Sequence, residues 1–475
     1  MKPARRAAIM AGSVVLAGVA ALAIAQPAPT VPLPPPRPPL PATAKAPVPT
    51  PSHDALAKLV ARTDAVSKEV SKIRGLPLKH AIPNEVVDRD ELRRRLVAMA
   101  AEDKTRTQTA AEGLALARWG MIPRATDYTA LLLDLLSEQI AGYYDPETKK
   151  LTISKNAGDD PQWAELVLAH EIDHALQDQA FDLRKFEDLP EGEDDALTAR
   201  RALVEGDGIA LMLEVMLSRN NLPVPWSNPQ ISKSIEKAMG APGNGETLDK
   251  APLAIREALI FPYRAGFTFV AALRRRQPWS AVDAAFAKPP QSTEQVMHPD
   301  RYLAGDEPVQ VVIDPLPVLR GYSRAHHTVW GELGFQLFLR SHGIDVATAT
   351  TAAAGWGGDR TIVLARDADR RPHQAVGVSR SEWDTEADAL EAHEAAVKAL
   401  DKGVGAVVEH ALTRTRWLGI EGTLSWVERK GTSIVIVIGA PVWAATTLAT
   451  DIWTQSRIVV KATASPKPPK SSKSP

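Results

Sequence analysis

The segment Gln162–Asp182, QWAELVLAHEIDHALQDQAFD, limits the fold more than any other part of the chain. His170 and His174 stand four positions apart, with Glu171 directly after the first. On a helix, positions i and i+4 share a face, so this spacing aims both imidazoles the same way. Leu166 and Val167 lie four and three residues before His170, so the histidine continues an apolar stripe. Pro161 suits the first turn of such a helix, and Asp160 suits its N-cap.

Two imidazoles on one helical face can hold one zinc ion. Glu171 borders that face, where it can take a proton from a zinc-bound water, which is the physical content of H-E-x-x-H. The plainer alternative is a pair of core histidines, or a solvated His–Glu pair. A catalytic zinc needs a third protein ligand and an open position. Glu205, in ALVEGDGIALML, is the candidate. Ala202 lies three residues before it and Ile209 four after it, so Glu205 falls on the apolar face of its own helix. An unpaired carboxylate there is costly, and a cation removes the cost. The alternative is a buried Glu205 paired with Arg200 or Arg201, with Asp207 and Glu214 as fallback ligands. Asp178, four residues past His174, and Asp207 are the candidates to accept an imidazole N–H and orient the ligands. His298, in STEQVMHPDRY, is the candidate donor to a reaction oxyanion, with Tyr302, Tyr263 and Arg264 as others.

The phrases LAHEIDHALQDQ and ALVEGDG resemble the HExxH metallopeptidases whose third ligand is a helical glutamate, the gluzincin-type zincins. More narrowly, GYYDPETKKL, HEIDHALQDQ, ALVEGD, FPYRAG, PPQSTEQVMHP and GWGGDR, in this order, are similar to a group of exported prokaryotic metallopeptidase-like proteins. These phrases run from about residue 130 to 390. The resemblance implies a zincin-like fold, Zn2+ on His170, His174 and Glu205, and catalysis by Glu171. It also implies a protein or peptide substrate laid along an edge strand beside the helix, a role that KKLTISK (149–155) fits by its order in the chain. Asp173 departs from the pattern, because Thr, Gly or Ser is more usual before the second histidine. An acid there either raises ligand basicity or faces solvent.

Elsewhere the first half reads as mostly helical, with DALAKLVARTDAVSKEVSKI, RDELRRRLVAMAAED, DDALTARRALVEGDGIALMLEVMLS and APLAIREALIFPYRAGFTFVAALRRR as helices. A hairpin is expected at IAGYY and KKLTISK around Asp145-Pro146-Glu147-Thr148. The second half changes to strands at DRTIVLARD, QAVGVSRSEW, TLSWVERKG and TSIVIVIGAP, with a helix over TEADALEAHEAAVKALDKG. The run SIVIVIGAPVWAATTLATDIW is apolar enough for a membrane span, but the break at Gly439-Ala440-Pro441 favours a strand followed by a helix. The fold class is therefore α+β, a mostly helical zincin-like half followed by a smaller antiparallel α+β domain. The expected boundaries are 53–303 and 304–462. GWGGDR lacks phosphate-loop spacing and reads as a tight turn with Trp356 in the core. His326 and His327 are adjacent, diverge on a helix and read as structural, and RRRQ at Arg274 reads as a solvated helix end.

Composition narrows the chemistry further. With no cysteine among 475 residues, disulfides, thiol nucleophiles and thiolate zinc ligands are excluded, so any metal site uses His, Asp or Glu. Lys plus Arg is 56 and Asp plus Glu is 57, a balance that offers no general attraction to nucleic acid. Lys2, Arg5 and Arg6 precede an apolar run ending in Ala23-Ile24-Ala25, so residues 1–25 fit a cleaved export signal or an uncleaved membrane anchor. Both place the rest of the chain outside the cytoplasm, in the periplasm, at the envelope or secreted. Residues 26–52 read as a proline-rich spacer and 463–475 as a basic tail. Oligomeric state leaves no sequence signal, and the N-terminal helices are open to a second reading as an inhibitory pro-segment. The rival to a peptidase is a non-catalytic zinc-containing envelope protein.

Overall fold

A computed structural model describes residues 13–14, 61–154, 161–239, 245–275, 277–366, 370–419 and 422–459. The expected signal (Ser13 and Val14 apart), the proline-rich spacer, the Asp160 cap and the basic tail lie outside these residues. The chain is α+β and divides into two units. Unit one takes residues up to Asp306 plus Glu332–Gly343, and unit two takes Glu307–Gly331 and Ile344 onward. A linear boundary near 304 misses this exchange, because a helix from the second half of the sequence belongs to the first unit.

In unit one the numbered helices are α1 (Thr63–Arg74), α2 (Arg89–Ala101), α3 (Asp103–Arg118), α4 (Tyr128–Gln139), α5 (Pro161–Phe181), α6 (Asp194–Arg219), α7 (Pro229–Met239), α8 (Leu253–Arg274), α9 (Ser280–Ala287), α10 (Thr293–Met297), α11 (Pro299–Ala304) and α12 (Gly331–Ser341), with further short helical turns at Leu183–Phe186 and Glu246–Lys250. Helix α6 is the axis of the unit. Every residue from Ala202 to Val215 is buried, and α1, α5 and α8 pack around it. A helix buried all round is normally apolar. This one carries Glu205, Asp207 and Glu214 inside, so each must find a partner. Glycines let α6 and α8 touch backbone to backbone. A Cβ on Gly266 would stand 1.9 Å from the Ala202 carbonyl oxygen, and one on Gly206 2.2 Å from the Gly266 carbonyl. Pro262 lies inside α8.

A small sheet stands beside α5, with strand order β1 (Ser13–Val14), β3 (Ile140–Asp145), β4 (Lys150–Ser154), β2 (Asn84–Val87). The hairpin β3–β4 forms where the sequence places it, and Lys149 takes the left-handed turn position at φ 57°. Strand β4 is not an edge, contrary to expectation. It pairs antiparallel with β3 and parallel with β2, a long-range parallel partner that local patterning does not reveal.

Unit two is built on an antiparallel seven-stranded sheet. Its strands are β6 (Ser323–Thr328), β7 (Trp356–Ala365), β8 (Val376–Trp383), β9 (Ala406–Ala411), β10 (Arg414–Leu418), β11 (Thr423–Lys430) and β12 (Ser433–Pro441), in the order β6-β7-β8-β12-β11-β10-β9. A separate pair joins β5 (Gln310–Ile313) to β13 (Ser456–Val459). Helices α13 (Val346–Ala353), α14 (Glu386–Leu400) and α15 (Val442–Thr454) complete the unit. Central β12 is buried on both faces, which is why it reads as an unbroken apolar run. Val435 and Val437 join a core with Ala444, Leu448 and Ile452 of α15, while Ile434, Ile436 and Ile438 face the other side. Among the described residues no helix is long and apolar enough to cross a membrane. Trp356 is 1% exposed and its indole donates to Asp359, as a core position requires, but GWGGDR is not a tight turn: only Gly355 is a turn residue, and Trp356–Arg360 already pair with β8 as the start of β7. His326 and His327 lie on strand β6 rather than on a helix.

Candidate metal centre

One turn of α6 and two turns of α5 supply the site. Residues Leu166–Asp178 of α5 are buried without a break, so His170 and His174 point into protein rather than solvent. Glu205 of α6 meets them there. His170 Nε2 lies 3.1 Å from His174 Nε2 and 3.2 Å from Glu205 Oε2, and His174 Nε2 lies 3.5 Å from the same oxygen. Tetrahedral zinc at bond lengths near 2 Å separates its ligand atoms by about 3.3 Å, so these three spacings fit the ion. Among the described residues this is the one His/Asp/Glu group whose ligand atoms converge within 4.8 Å.

The electrostatics favour a cation as well. Burial disfavours charge on both partners, yet their attraction outweighs it. Against burial, the carboxylates of Glu205 and Glu171 push His174 up to about 10, and the imidazoles hold Glu205 down at about 2. A divalent ion would meet the same carboxylate and take both imidazoles as ligands.

Local sequence explains the fit. Glu205 and Gly208 are three apart and share a helical face toward α5. A Cβ at Gly208 would stand 2.6 Å from His170 Cε1 and Nδ1, so only glycine lets the ring lie against α6. The two imidazoles meet edge to face at 82° with centroids 4.6 Å apart. Glu171 is fully buried. Strand β3 passes over it, for a Cβ at Gly142 would come within 3.4 Å of Glu171 Cγ. The strand that borders the site is thus β3, not β4.

The groups that orient the ligands differ from those expected. Asp178 accepts from Tyr144 Oη and Lys149 Nζ, both at 2.7 Å, and from the Leu183 N–H, so it secures the hairpin rather than an imidazole. Asp207 receives Arg74 Nε at 2.8 Å and Nη2 at 3.0 Å. The group on His174 Nδ1 is Gln177 Oε1, 3.0 Å away. Gln177 follows His174 by three residues on the same face, a signal available in the sequence but overshadowed by the nearby acids. Asp173 does not face solvent. It is fully buried and accepts from Gln177 Nε2 at 2.9 Å, and burial together with the Asp207 charge raises its pKa well above the carboxylate range.

The alternatives for Glu205 are occupied elsewhere. Arg200 donates to the Phe186 carbonyl, and Arg201 pairs with Glu187. Glu214 pairs with Arg274 and accepts from Trp226 Nε1 at 2.6 Å. The Arg274 side chain is consequently only 9% exposed, its guanidinium 4.2 Å over the Trp279 ring, so this end of α8 is not fully solvated.

His298 lies outside the three-ligand cluster. It joins α10 to α11, and its Nε2 contacts Glu332 of α12 at 2.9 Å. That carboxylate raises the pKa of the half-exposed imidazole, against partial burial. Tyr302 donates to the Lys288 carbonyl at 2.8 Å, Arg264 pairs with Glu257, and Tyr263 is buried.

Residues 318–449 match the family model of a domain of unknown function, DUF8575. No curated protein and no solved structure shows significant similarity to the chain. The matched span takes in most of unit two, whereas every ligand of the candidate centre lies before it.

Proposed function

We propose that this chain is a zinc-dependent hydrolase of peptide bonds, acting outside the cytoplasm. The observation that carries the reading is the convergence of His170, His174 and Glu205 at metal-ligand spacing beside a buried Glu171. The export assignment rests on the sequence pattern of residues 2–25. Bound zinc supplies Lewis acidity, which polarises a carbonyl and acidifies water. His170 and His174 offer Nε2 and Glu205 offers Oε2 to hold it. Glu171 accepts the proton of the attacking water on a carboxylate oxygen and later delivers it to the leaving nitrogen. Its burial excludes bulk water, so the proton stays with the reacting groups. His298 is given no step, because its Nε2 is engaged by Glu332.

A second reading is a non-catalytic envelope protein that keeps a structural zinc. The same burial of Glu171 favours it, because a substrate must still reach that carboxylate. The two readings separate on Glu171→Gln. The peptidase reading expects the variant to bind zinc as wild type does and to lose cleavage of a broad peptide library. Equal behaviour of the two proteins on that library leaves only the structural role.

A further inference from the structure

Gln177 has its amide held by an unusual number of acceptors. Nε2 lies 2.9 Å from Asp173 Oδ2, 3.1 Å from the Val204 carbonyl and 3.1 Å from Asp207 Oδ2. All three are oxygens, so the NH2 end must face them. Turning the amide over would set its oxygen against the Val204 carbonyl, which has no proton to give, and against Asp207, whose two oxygens already accept from Arg74. Oε1 therefore faces His174 Nδ1, and an amide oxygen only accepts. A neutral His174, the form that can ligate a metal, then carries its proton on Nδ1 and its lone pair on Nε2, which points at His170 and Glu205.

The polarity of this chain of bonds starts at Arg74. A guanidinium can only donate, and Arg74 donates twice to Asp207 from a side chain that is 0% exposed. Both Asp207 oxygens are thereby fixed as acceptors, Oδ1 from Nε and Oδ2 from Nη2. Asp283 also pairs with Arg74 Nη2 at 2.8 Å, and the Trp279 ring lies 4.5 Å from the guanidinium carbon. Arg74 is the last residue of α1, far from the centre in sequence.

We propose that Arg74 and Gln177 are positioning residues of the metal centre. Arg74 fixes Asp207, Asp207 helps fix the Gln177 amide, and Gln177 fixes the tautomer in which His174 offers Nε2 to the metal. Helix α1 is then a working part of the centre, not a removable inhibitory segment. The proposal rests on the metal reading above and adds residues that touch neither metal nor substrate.

The test uses the full chain and zinc alone. Zinc affinity is read by competition with a chromophoric chelator for wild type, Arg74→Met, Arg74→Lys and Gln177→Met. Removing partners of this kind weakens metal binding by about 10- to 100-fold, which is the loss expected for the two methionine variants. Arg74→Lys, which keeps the charge but not the paired geometry, should fall between them and wild type. A purely structural role would not set a tautomer, so imidazole nitrogen NMR of zinc-loaded wild type is the second readout. It should show His174 protonated at Nδ1 and ligated through Nε2. Ligation through Nδ1, or folded methionine variants with wild-type affinity, overturns the proposal. If Arg74→Met fails to fold, Gln177→Met and the wild-type spectrum decide. A wild-type chain that binds no zinc instead overturns the metal reading itself.

Discussion

Replacing Gly208 by alanine should separate metal affinity from stability. The new Cβ would meet His170 Cε1 and Nδ1 at 2.6 Å, whereas ordinary contacts begin near 3.4 Å. The ring must therefore retreat by about 0.8 Å, the difference of the two distances. It has no free direction, because His174 and Glu205 stand on its other side and the residue is 0% exposed. Metal–ligand distances tolerate only about 0.2 Å, so the centre should lose at least about tenfold in zinc affinity, or ~1.4 kcal/mol. Stability should change less. Overpacking costs ~1–3 kcal/mol, and alanine returns ~1 kcal/mol of helix propensity. The net, ~0–2 kcal/mol, corresponds to a few degrees of Tm for a unit of this size, on the order of 2–4 °C per kcal/mol. Chelator competition and a thermal melt of the metal-free chain measure the two quantities. Zinc binding by Gly208→Ala that equals wild type would refute the reasoning that the glycine exists to seat His170.

Gly266→Ala should act the other way, on stability first. Its Cβ would meet backbone, the Ala202 carbonyl oxygen at 1.9 Å, which cannot rotate aside. The cost should be at least ~1–3 kcal/mol, and a melting temperature equal to wild type would contradict the close α6–α8 packing. Glu85, on β2, gives a pH signature. Arg95, chiefly, with Lys150 and Thr152 holds it at about 2, below the usual 4.5, so its stabilisation is present above pH 4.5 and lost as pH falls toward 2. With partial exposure of the side chain, about 1–2 kcal/mol is expected. The gap in urea midpoint between wild type and Glu85→Gln should shrink between pH 6 and pH 3, and a gap that stays constant counts against the ion pair. Saturating zinc should raise the Tm of the metal-free chain, as any ligand selective for the folded state does; an unchanged melt would count against the site.

Much of the candidate centre was legible because helical periodicity is local. The spacing of His170, His174 and Glu171 on α5, and of Ala202, Glu205 and Ile209 on α6, fixes which side chains share a face. The long helices and the β3–β4 hairpin were legible for the same reason. What escaped depends on distant partners. The interior position of β4 follows from its parallel pairing with β2, and Arg74 meets Asp207 across 133 residues. Strands β6, β9 and β10 lack a clean apolar alternation. Edge strand β9 is exposed at five of its six positions, so burial leaves little imprint on its sequence. Helix α12 lies late in the chain yet belongs to the first unit, an exchange that a linear reading of domain boundaries does not anticipate.

The measurement closest to the central claim is elemental analysis of the purified full-length chain, paired with Glu205→Ala. Four buried ionisable groups, His170, Glu171, His174 and Glu205, share one small volume, and a bound cation would make that arrangement favourable. One zinc per wild-type chain, lost in Glu205→Ala while the variant stays folded, is the predicted result. A folded wild-type chain that carries no zinc and takes none up, or a Glu205→Ala chain that keeps it, would contradict the account.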